Sequence, residues 1–359
     1  MTLDLPAVPT PDLAAAATAA ARRDRLPAGA LGVWGGVLDT LAAARGAATG
    51  SVTPLRPRLV VLAADHGVAD LGVSAAVPAE TARRVADLTA GVGLTSTLAA
   101  VTGVGVRVLQ AGPRSGRIDI EDALDDDQLE AAIATGRRVA DAEVDEGADL
   151  LIGAVCGVGV STPVSVLVAV LTGMEPVDAT TRGSGIDDAA WITKAAAVRD
   201  SLFRVRQAGS DVLTLLRTGG GADLAALTGF IAQAAIRRTP VLIHDLPSAV
   251  CGVLAHRIAP GADSYLLASS LSPERGHRRL LDILGREPIT EWSITAGSGV
   301  AALLVVPSLR AAAQAVDAVL AADAVLAADA VLAADEAAGS PQRVTRSEHA
   351  IDAWDPELL

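Results

Sequence analysis

One uncharged stretch constrains the fold of this chain more than any other. Residues 150–174, LLIGAVCGVGVSTPVSVLVAVLTGM, contain no Asp, Glu, Lys, Arg or His. A segment of this length could span a bilayer. Its centre is broken by glycines and Pro163, and no basic cluster flanks it, so a membrane span is the weaker interpretation. We predict a buried strand at 150–155, a glycine turn at 157–162 and a helix whose first turn contains Pro163.

The glycine turn, GVGVST, has the composition of an anion-binding loop. Gly157 and Gly159 allow the backbone to approach a ligand closely. The helix that follows offers free N–H groups at its N-terminus, and such groups attract anions. A strand, turn and helix that bind nothing would fit the same short pattern, so the turn by itself is a weak signal.

The composition limits both the core and the partners. Of the 359 residues, 51% are hydrophobic but only 2% are aromatic, which favours alanine-rich helices packed on valine-rich strands. The net charge of −13 argues against nucleic acid. Cys156 and Cys251 offer neither a metal-site spacing nor a disulfide framework, and we predict no metal and no cofactor. The N-terminus lacks the features of a signal peptide, which predicts a cytoplasmic protein without membrane contact.

Strand-like runs that lead into loops and helices recur along the chain. Besides the central run, we predict strands at 59–64, 104–109, 240–243 and 264–268. Four or five such units predict the α/β class, with a Rossmann-like parallel sheet and helices on both faces. The carboxyl ends of parallel strands meet at one edge, where open sheets bind ligands. The loops at this edge predict a pocket for a phosphorylated or glycosidic small molecule.

Two polar residues, Asp65 and His66, follow the first predicted strand directly. Catalysis is one interpretation of this pair. A turn or cap role for Asp65 and a structural hydrogen bond for His66 are the other.

Three cations have two interpretations each. Arg83 and Arg84 lie on a helix predicted over 81–100, where such a pair either contacts a ligand or forms a solvated face. Lys194 is the only lysine in the chain, and a compact ammonium suits a phosphate or carboxylate. Chance retention would also explain a lone lysine in an arginine-rich chain.

The C-terminal region contains an internal repeat. DAVLAA occurs three times between residues 317 and 334. A period of six does not match the helical period of 3.6, so the repeated valines wind around a helix and form no single face. We predict a repeat expansion tolerated on a helix, with an interaction face as the alternative.

Five segments of the chain together resemble a known family. They are ADHGVADLGVSAAVPAET, ADLLIGAVCGVGVST, GSGIDDAAWITKAAAVRD, GGGADLAALTGFIAQAAIRRTPVLI and SLSPERGH followed by LDILGREPI. In this order they resemble the CobT family, the nicotinate-nucleotide:dimethylbenzimidazole phosphoribosyltransferases, from about residue 10 to residue 315. The resemblance implies a homodimer, a Rossmann-like large domain and a small helical domain built from both chain ends. It also implies attack by a benzimidazole nitrogen on the anomeric carbon of nicotinate mononucleotide, with loss of nicotinate and inversion.

The resemblance suggests four segments. We expect N-terminal helices of the small domain over 1–50 and the α/β ligand-binding domain over 51–307. A C-terminal helix with the repeat should cover 308–336, and 337–359 should be loosely ordered.

Several positions match functional positions of the family. By this resemblance, Asp65 and His66 correspond to the family's Asp-His pair after the first strand. Ser74 corresponds to the family's serine near the acceptor base. The other matching positions are the turn glycines Gly157 and Gly159, the donor-side Lys194, Gly220 in the glycine triplet, and Ser272 in the late loop.

Other positions depart from the family pattern. The family's glutamate base, in a GEGTG loop, falls on Ser298 in GSGVA, and a serine hydroxyl cannot take the azole proton as a carboxylate does. Val155 and Val160 replace an acidic residue and an asparagine. Leu271 replaces an arginine.

These departures cluster in the site, so we predict a diverged glycosyl or phosphoribosyl transferase. It would move a sugar from an activated donor to a heterocyclic nitrogen or sulfur in secondary metabolism, for example S-glycosylation of a thione such as ergothioneine in lincosamide-type pathways. A thiolate needs little general base, and Arg83 would suit an acidic acceptor.

Two alternatives remain open. One is a genuine member of the family in cobalamin lower-ligand assembly, whose base is supplied by Asp65, His66 or Glu274. The other is a ligand-binding pseudoenzyme. In the two transferase interpretations the catalytic candidates are Ser298, Asp65 and His66.

Overall fold

The computed structural model describes residues 3–46, 53 and 56–337. In this part of the chain, five strands form one parallel sheet in the order β2-β1-β3-β4-β5. The predicted α/β class with a Rossmann-like parallel sheet is therefore confirmed. The strands are β1 Pro57–Ala63, β2 Gly105–Gln110, β3 Leu150–Cys156, β4 Val241–Ile243 and β5 Leu266–Ala268.

Helices precede the first strand, separate the strands and follow the last strand along the chain. Two short 3₁₀ helices cover Gly67–Leu71 and Ala262–Tyr265. The α-helices of the described residues are α1 Leu13–Arg23, α2 Trp34–Arg45, α3 Ala79–Thr89, α4 Leu94–Val101, α5 Asp126–Asp145, α6 Ser161–Thr172, α7 Pro176–Ala179, α8 Asp188–Ala208, α9 Val212–Gly219, α10 Ala222–Ile236, α11 Leu246–Ile258, α12 Arg275–Leu284 and α13 Val300–Ala337.

The central uncharged stretch is part of the core. It splits into β3 and α6, and Gly173 ends α6 in the left-handed conformation with φ 70°. Every residue of β3, β4 and β5 is buried. Burial on both faces is expected for parallel strands covered by helices, and it explains an uncharged run without a membrane.

The strand order determines where a ligand can bind. From β1 the chain moves to one side of the sheet to form β2, and it then returns to the other side to form β3. Loops that leave β1 and β3 therefore diverge and open a crevice at the carboxyl edge of the sheet. The glycine turn follows β3 at this switch point.

The structure departs from the predicted elements in two places. The helix predicted over 81–100 is broken into α3 and α4, because Gly91 and Gly93 adopt positive φ values of 74° and 93° between them. The helix α9, which ends at Gly219, has no counterpart among the predicted elements. Asp211 caps α9 by accepting a hydrogen bond from the backbone N–H of Thr214 at 3.0 Å.

The C-terminal helix α13 is continuous from Val300 to Ala337 and carries the three DAVLAA copies, as predicted. The chain forms two compact units, 1–314 and 315–359, so the expected limit at 307/308 falls inside this helix. Val300–Val319 is long and apolar enough to span a bilayer, a test that core helices also pass. The expected limit at 50/51 and the tail from 338 onward lie outside the described residues, and the domain limits stay a prediction.

Candidate active site

A cavity of about 980 Å³ opens at the carboxyl edge of the sheet. Three of its walls come from segments at or beyond the carboxyl ends of strands: 155–161 at the end of β3, 245–247 shortly after β4 and 273–275 in the loop after β5. The loop 180–185 and residues around Ser298 complete it. The cavity therefore lies at the switch point of the sheet, where a ligand is expected.

The glycine turn packs against the segment that follows β1. A Cβ atom on Gly157 would lie 1.9 Å from the backbone oxygen of Ala64. Gly159 has φ 91°, and its Cβ would lie 3.1 Å from that of Ala69. Both positions require glycine because of this close approach, which leaves the turn free to face the cavity on its other side.

Asp65 and His66 support the turn from behind and do not line the cavity. The hydroxyl of Thr81 donates to the Asp65 carboxylate and accepts from the backbone N–H of Val158 at 2.9 Å. His66 is buried, with Nε2 3.1 Å from Oδ2 of the buried Asp223. Both side chains are thus engaged beneath the turn, and the catalytic role of this pair stays a prediction.

Lys194 is fully buried and also acts at a distance from the cavity. Its Nζ donates to Ser161 Oγ at 2.9 Å and to the backbone oxygen of Thr181 at 2.8 Å, and both of these residues line the cavity. Burial lowers the pKa of Lys194 to about 8, and the nearby Glu274 carboxylate opposes this shift. The ammonium group therefore supports two wall segments, and a direct contact with a donor stays a prediction.

The two neighbouring arginines of α3 differ in position, and a ligand contact by Arg83 stays a prediction. Arg83 is exposed and pairs with Glu80 and, at 2.8 Å, with Asp87, whereas Arg84 lines the cavity. Successive helical residues point about 100° apart, so the two arginines cannot face the same space.

Three arginines line the cavity: Arg84, Arg182 and Arg275. Arg84 lies 3.3 Å from Glu80. Arg182 lies 2.5 Å from Asp188, and Arg275 lies 2.7 Å from Asp178. Guanidinium groups together with a glycine turn at a helix N-terminus suit a phosphorylated or carboxylated ligand.

Ser74 and Ser298 line the cavity, as their predicted roles require. The hydroxyl of Ser74 lies 3.2 Å from that of Ser184, which joins two loops across the opening. Ser298 has φ 55°, a conformation that few residues other than glycine adopt. Its hydroxyl keeps its proton at neutral pH, so it offers a hydrogen bond but no base.

Gly220 and Ser272 lie behind the wall. Gly220 connects α9 to α10, and a Cβ there would lie 2.6 Å from the backbone oxygen of Leu216. Packing therefore requires glycine here, and the ligand contact of Gly220 stays a prediction. Ser272 is buried, and its hydroxyl lies 3.0 Å from Oε2 of Glu274, which does line the cavity.

Three further cavity residues were outside the predicted set of site residues. Asp245 follows β4 directly, so its position at a strand end was a usable signal. Ser161 lies in the glycine turn and begins α6. Its position at a helix N-terminus was also a usable signal. Trp191 gives no such signal, because only folding of α8 brings its ring to the wall.

The two acidic groups deepest in the site differ in their affinity for protons. Burial works against ionisation of Asp245, but interaction with His244 and hydrogen bonds with His244 and Ser248 hold its pKa below the ordinary value. Burial raises the pKa of Glu274, although the Ser272 hydroxyl and Lys194 oppose this shift. No group of three or more side chains able to hold a metal ion occurs among residues 3–46, 53 and 56–337.

The parallel sheet, the glycine turn and the arginines of the cavity define an α/β protein whose switch-point cavity suits an anionic small molecule. The chain belongs to the CobT family: the phosphoribosyltransferase family model DBI_PRT matches residues 8–325. It is therefore a phosphoribosyltransferase, an enzyme that transfers a pentosyl group.

Named relatives and solved structures agree with this assignment. A nicotinate-nucleotide–dimethylbenzimidazole phosphoribosyltransferase of Mycobacterium ulcerans is 44% identical over 333 residues, covering 87% of this chain and 92% of its own length. The enzyme of the same name from Mycobacterium tuberculosis is 45% identical and covers 87% of this chain and 91% of its own length. The crystal structure of CobT from Thermus thermophilus superimposes with a TM-score of 0.78 at 31% identity, covering 84% of this chain and 96% of that one.

Proposed function

We propose that this enzyme transfers the phosphoribosyl group of nicotinate mononucleotide to dimethylbenzimidazole, a step of cobalamin lower-ligand assembly. The observation that carries the proposal is the 44% identity to enzymes of that name over most of the chain. These relatives favour this function over the predicted S-glycosyl transfer in secondary metabolism. Its substrates would be two small molecules, and no nucleic acid or membrane would take part.

The cavity supports each part of this reaction. The glycine turn, the α6 N-terminus and the arginines provide donors for the phosphate and the carboxylate of the nucleotide. The bond between the anomeric carbon and the nicotinate nitrogen breaks with its electron pair moving to that nitrogen. Because this cancels the pyridinium charge, the leaving group needs no proton. The walls hold donor and acceptor together, which lowers the entropic part of the barrier.

We also propose a cytoplasmic homodimer with the domain limits expected above. The family resemblance supports this assembly. Light scattering of the purified protein measures the oligomeric state. For a homodimer we expect a mass of about twice the chain mass of 36.1 kDa.

A paired turnover assay by mass spectrometry tests the function. One reaction contains nicotinate mononucleotide and dimethylbenzimidazole, and the other contains nucleotide-activated sugars with imidazole, thione and thiol acceptors. We expect nicotinate and α-ribazole phosphate in the first reaction. A product in the second reaction alone would favour the diverged transferase. The replacement of the family glutamate by Ser298 keeps that second candidate worth testing.

Arg84 and Arg83 form a matched pair for testing the anion site. We expect Arg84→Ala to raise the KM for nicotinate mononucleotide about tenfold, because a cavity-lining guanidinium is lost and a charged hydrogen bond contributes roughly 1.5–3 kcal/mol. Arg83→Ala removes the same charge from the neighbouring exposed position and should change KM less than about twofold. Equal effects of the two variants on KM would contradict a specific contact by Arg84.

A further inference from the structure

Three carboxylates line the cavity, and they differ in what their oxygens contact. Asp178 is exposed and accepts from Arg275 at 2.7 Å. Asp245 caps α11 by accepting from the Ser248 N–H at 3.0 Å, and its other oxygen lies 3.2 Å from His244 Nδ1. Asp178 is therefore paired with a guanidinium, and the partners of Asp245 hold its pKa below the ordinary value.

Glu274 is the half-buried carboxylate of the three that has no ion-pair partner among the described residues. Its Oε2 is engaged by the Ser272 hydroxyl at 3.0 Å, while Oε1 has no hydrogen-bond partner in the part of the chain that the structure describes. It precedes α12 at the N-cap position, yet its side chain makes no capping hydrogen bond. The carboxylate is therefore held at one oxygen and free at the other.

The buried His277 holds Ser272, the residue whose hydroxyl contacts Glu274. The Nδ1 atom of His277 accepts from the backbone N–H of Ser272 at 3.0 Å. Burial lowers the pKa of His277 to about 4, so its ring is neutral at pH 7. The Ser272 hydroxyl lies 3.0 Å from the same Nδ1 atom, so both polar groups of Ser272 are held by the histidine. The hydroxyl also donates to Oε2 of Glu274 at 3.0 Å.

The surroundings give Glu274 the basicity that proton abstraction needs. Burial is the main cause of its raised pKa, and the charge of Asp245 acts in the same direction. A carboxylate whose pKa lies nearer to neutrality accepts a proton more effectively than a fully solvated one. Ser298 lines the same cavity and cannot do this.

We propose that Glu274 is the general base of this enzyme, oriented by the Ser272 hydroxyl, in place of the glutamate that the family has at the position of Ser298. The inference rests on the proposed function. One azole nitrogen of dimethylbenzimidazole bonds to the anomeric carbon as the bond to nicotinate breaks. The proton on the other azole nitrogen passes to Oε1 of Glu274, which leaves a neutral acceptor base in the product.

The first experiment separates catalysis from binding. Glu274→Gln keeps the shape of the side chain and removes its basicity, so we expect kcat to fall about 10²–10⁴-fold. The Kd for nicotinate mononucleotide, measured by calorimetry, should change less than about threefold. Glu287→Gln makes the same substitution at an exposed site that contacts Arg278, and it should leave kcat unchanged.

The second experiment tests chemistry directly. Glu274→Ala opens space for a small carboxylate, so added formate should restore kcat at least about tenfold in that variant and have no effect on the wild type. A purely structural role predicts no rescue. The acidic limb of the wild-type pH profile should also disappear in Glu274→Gln, because the ionised base is lost as the pH falls through its raised pKa.

The outcomes distinguish the two proposals. A wild type without α-ribazole phosphate formation would reject the proposed function itself. An active wild type with a Glu274→Gln variant within threefold of its kcat would reject Glu274 as the base and leave the function standing. Loss of nucleotide binding in Glu274→Gln, or absence of formate rescue, would assign Glu274 a structural role and also overturn the inference.

Discussion

Replacing Gly157 by alanine is expected to lower kcat/KM at least a hundredfold. The new Cβ would lie 1.9 Å from the backbone oxygen of Ala64, and no side-chain movement can relieve a contact with backbone. The turn must therefore move by about 1 Å or more, and a displacement of this size in a catalytic site costs roughly 10²-fold in rate. The strain should also destabilise the fold by about 1–3 kcal/mol.

Steady-state kinetics and denaturant unfolding measure both effects. Gly36→Ala is the matched control, because Gly36 lies in α2 and its Cβ would meet nothing within 4 Å. It should leave kcat/KM unchanged and stabilise the helix by up to about 1 kcal/mol. A Gly157→Ala variant with wild-type activity would show that the turn does not need its present position.

Lys194→Met is expected to change the pH dependence of stability. The pKa of Lys194 is lowered from the ordinary 10.5 to about 8 by burial. Between these values the unfolded chain binds more protons than the folded one, so this residue makes stability rise with pH. The free energy of unfolding of the wild type should therefore increase relative to Lys194→Met by about 2–3 kcal/mol between pH 7 and pH 10.

Lys194→Met should also reduce activity. Ser161 and the Thr181 carbonyl lose their donor, and both line the cavity, so we expect a fall of about a hundredfold in kcat/KM. Denaturant unfolding at the two pH values provides the stability measurement. Gly36→Ala again serves as the control, because its difference from the wild type should not vary with pH. If the difference in free energy of unfolding between the wild type and Lys194→Met also did not vary with pH, the lowered pKa of Lys194 would be contradicted.

Much of the architecture could be predicted from the sequence, because it depends on local patterns. The uncharged run from 150 to 174 could be assigned to a buried strand, a turn and a helix from its glycines and Pro163 alone. The recurring units of strand, loop and helix indicated the parallel sheet and the carboxyl edge as the site. These predictions rely on residues close together in the chain, whose spacing sets their structure directly.

The roles of single side chains were decided by the tertiary structure. Asp65 and His66 stand at a strand end, as predicted, yet the packing of the turn over β1 places them behind it. Arg83 and Arg84 are adjacent in sequence, and only the orientation of α3 decides which of them faces the cavity.

The sequence by itself determined the α/β class, the glycine turn and the edge of the sheet where the site lies. Only the tertiary structure decided that Lys194 acts through Ser161 and that Glu274 has an oxygen free to accept a proton. The physical reason is that β-strand order and helix orientation bring together residues tens to hundreds of positions apart. The chemistry of a side chain depends on those neighbours, through burial, charge and hydrogen bonding, and no local pattern specifies them.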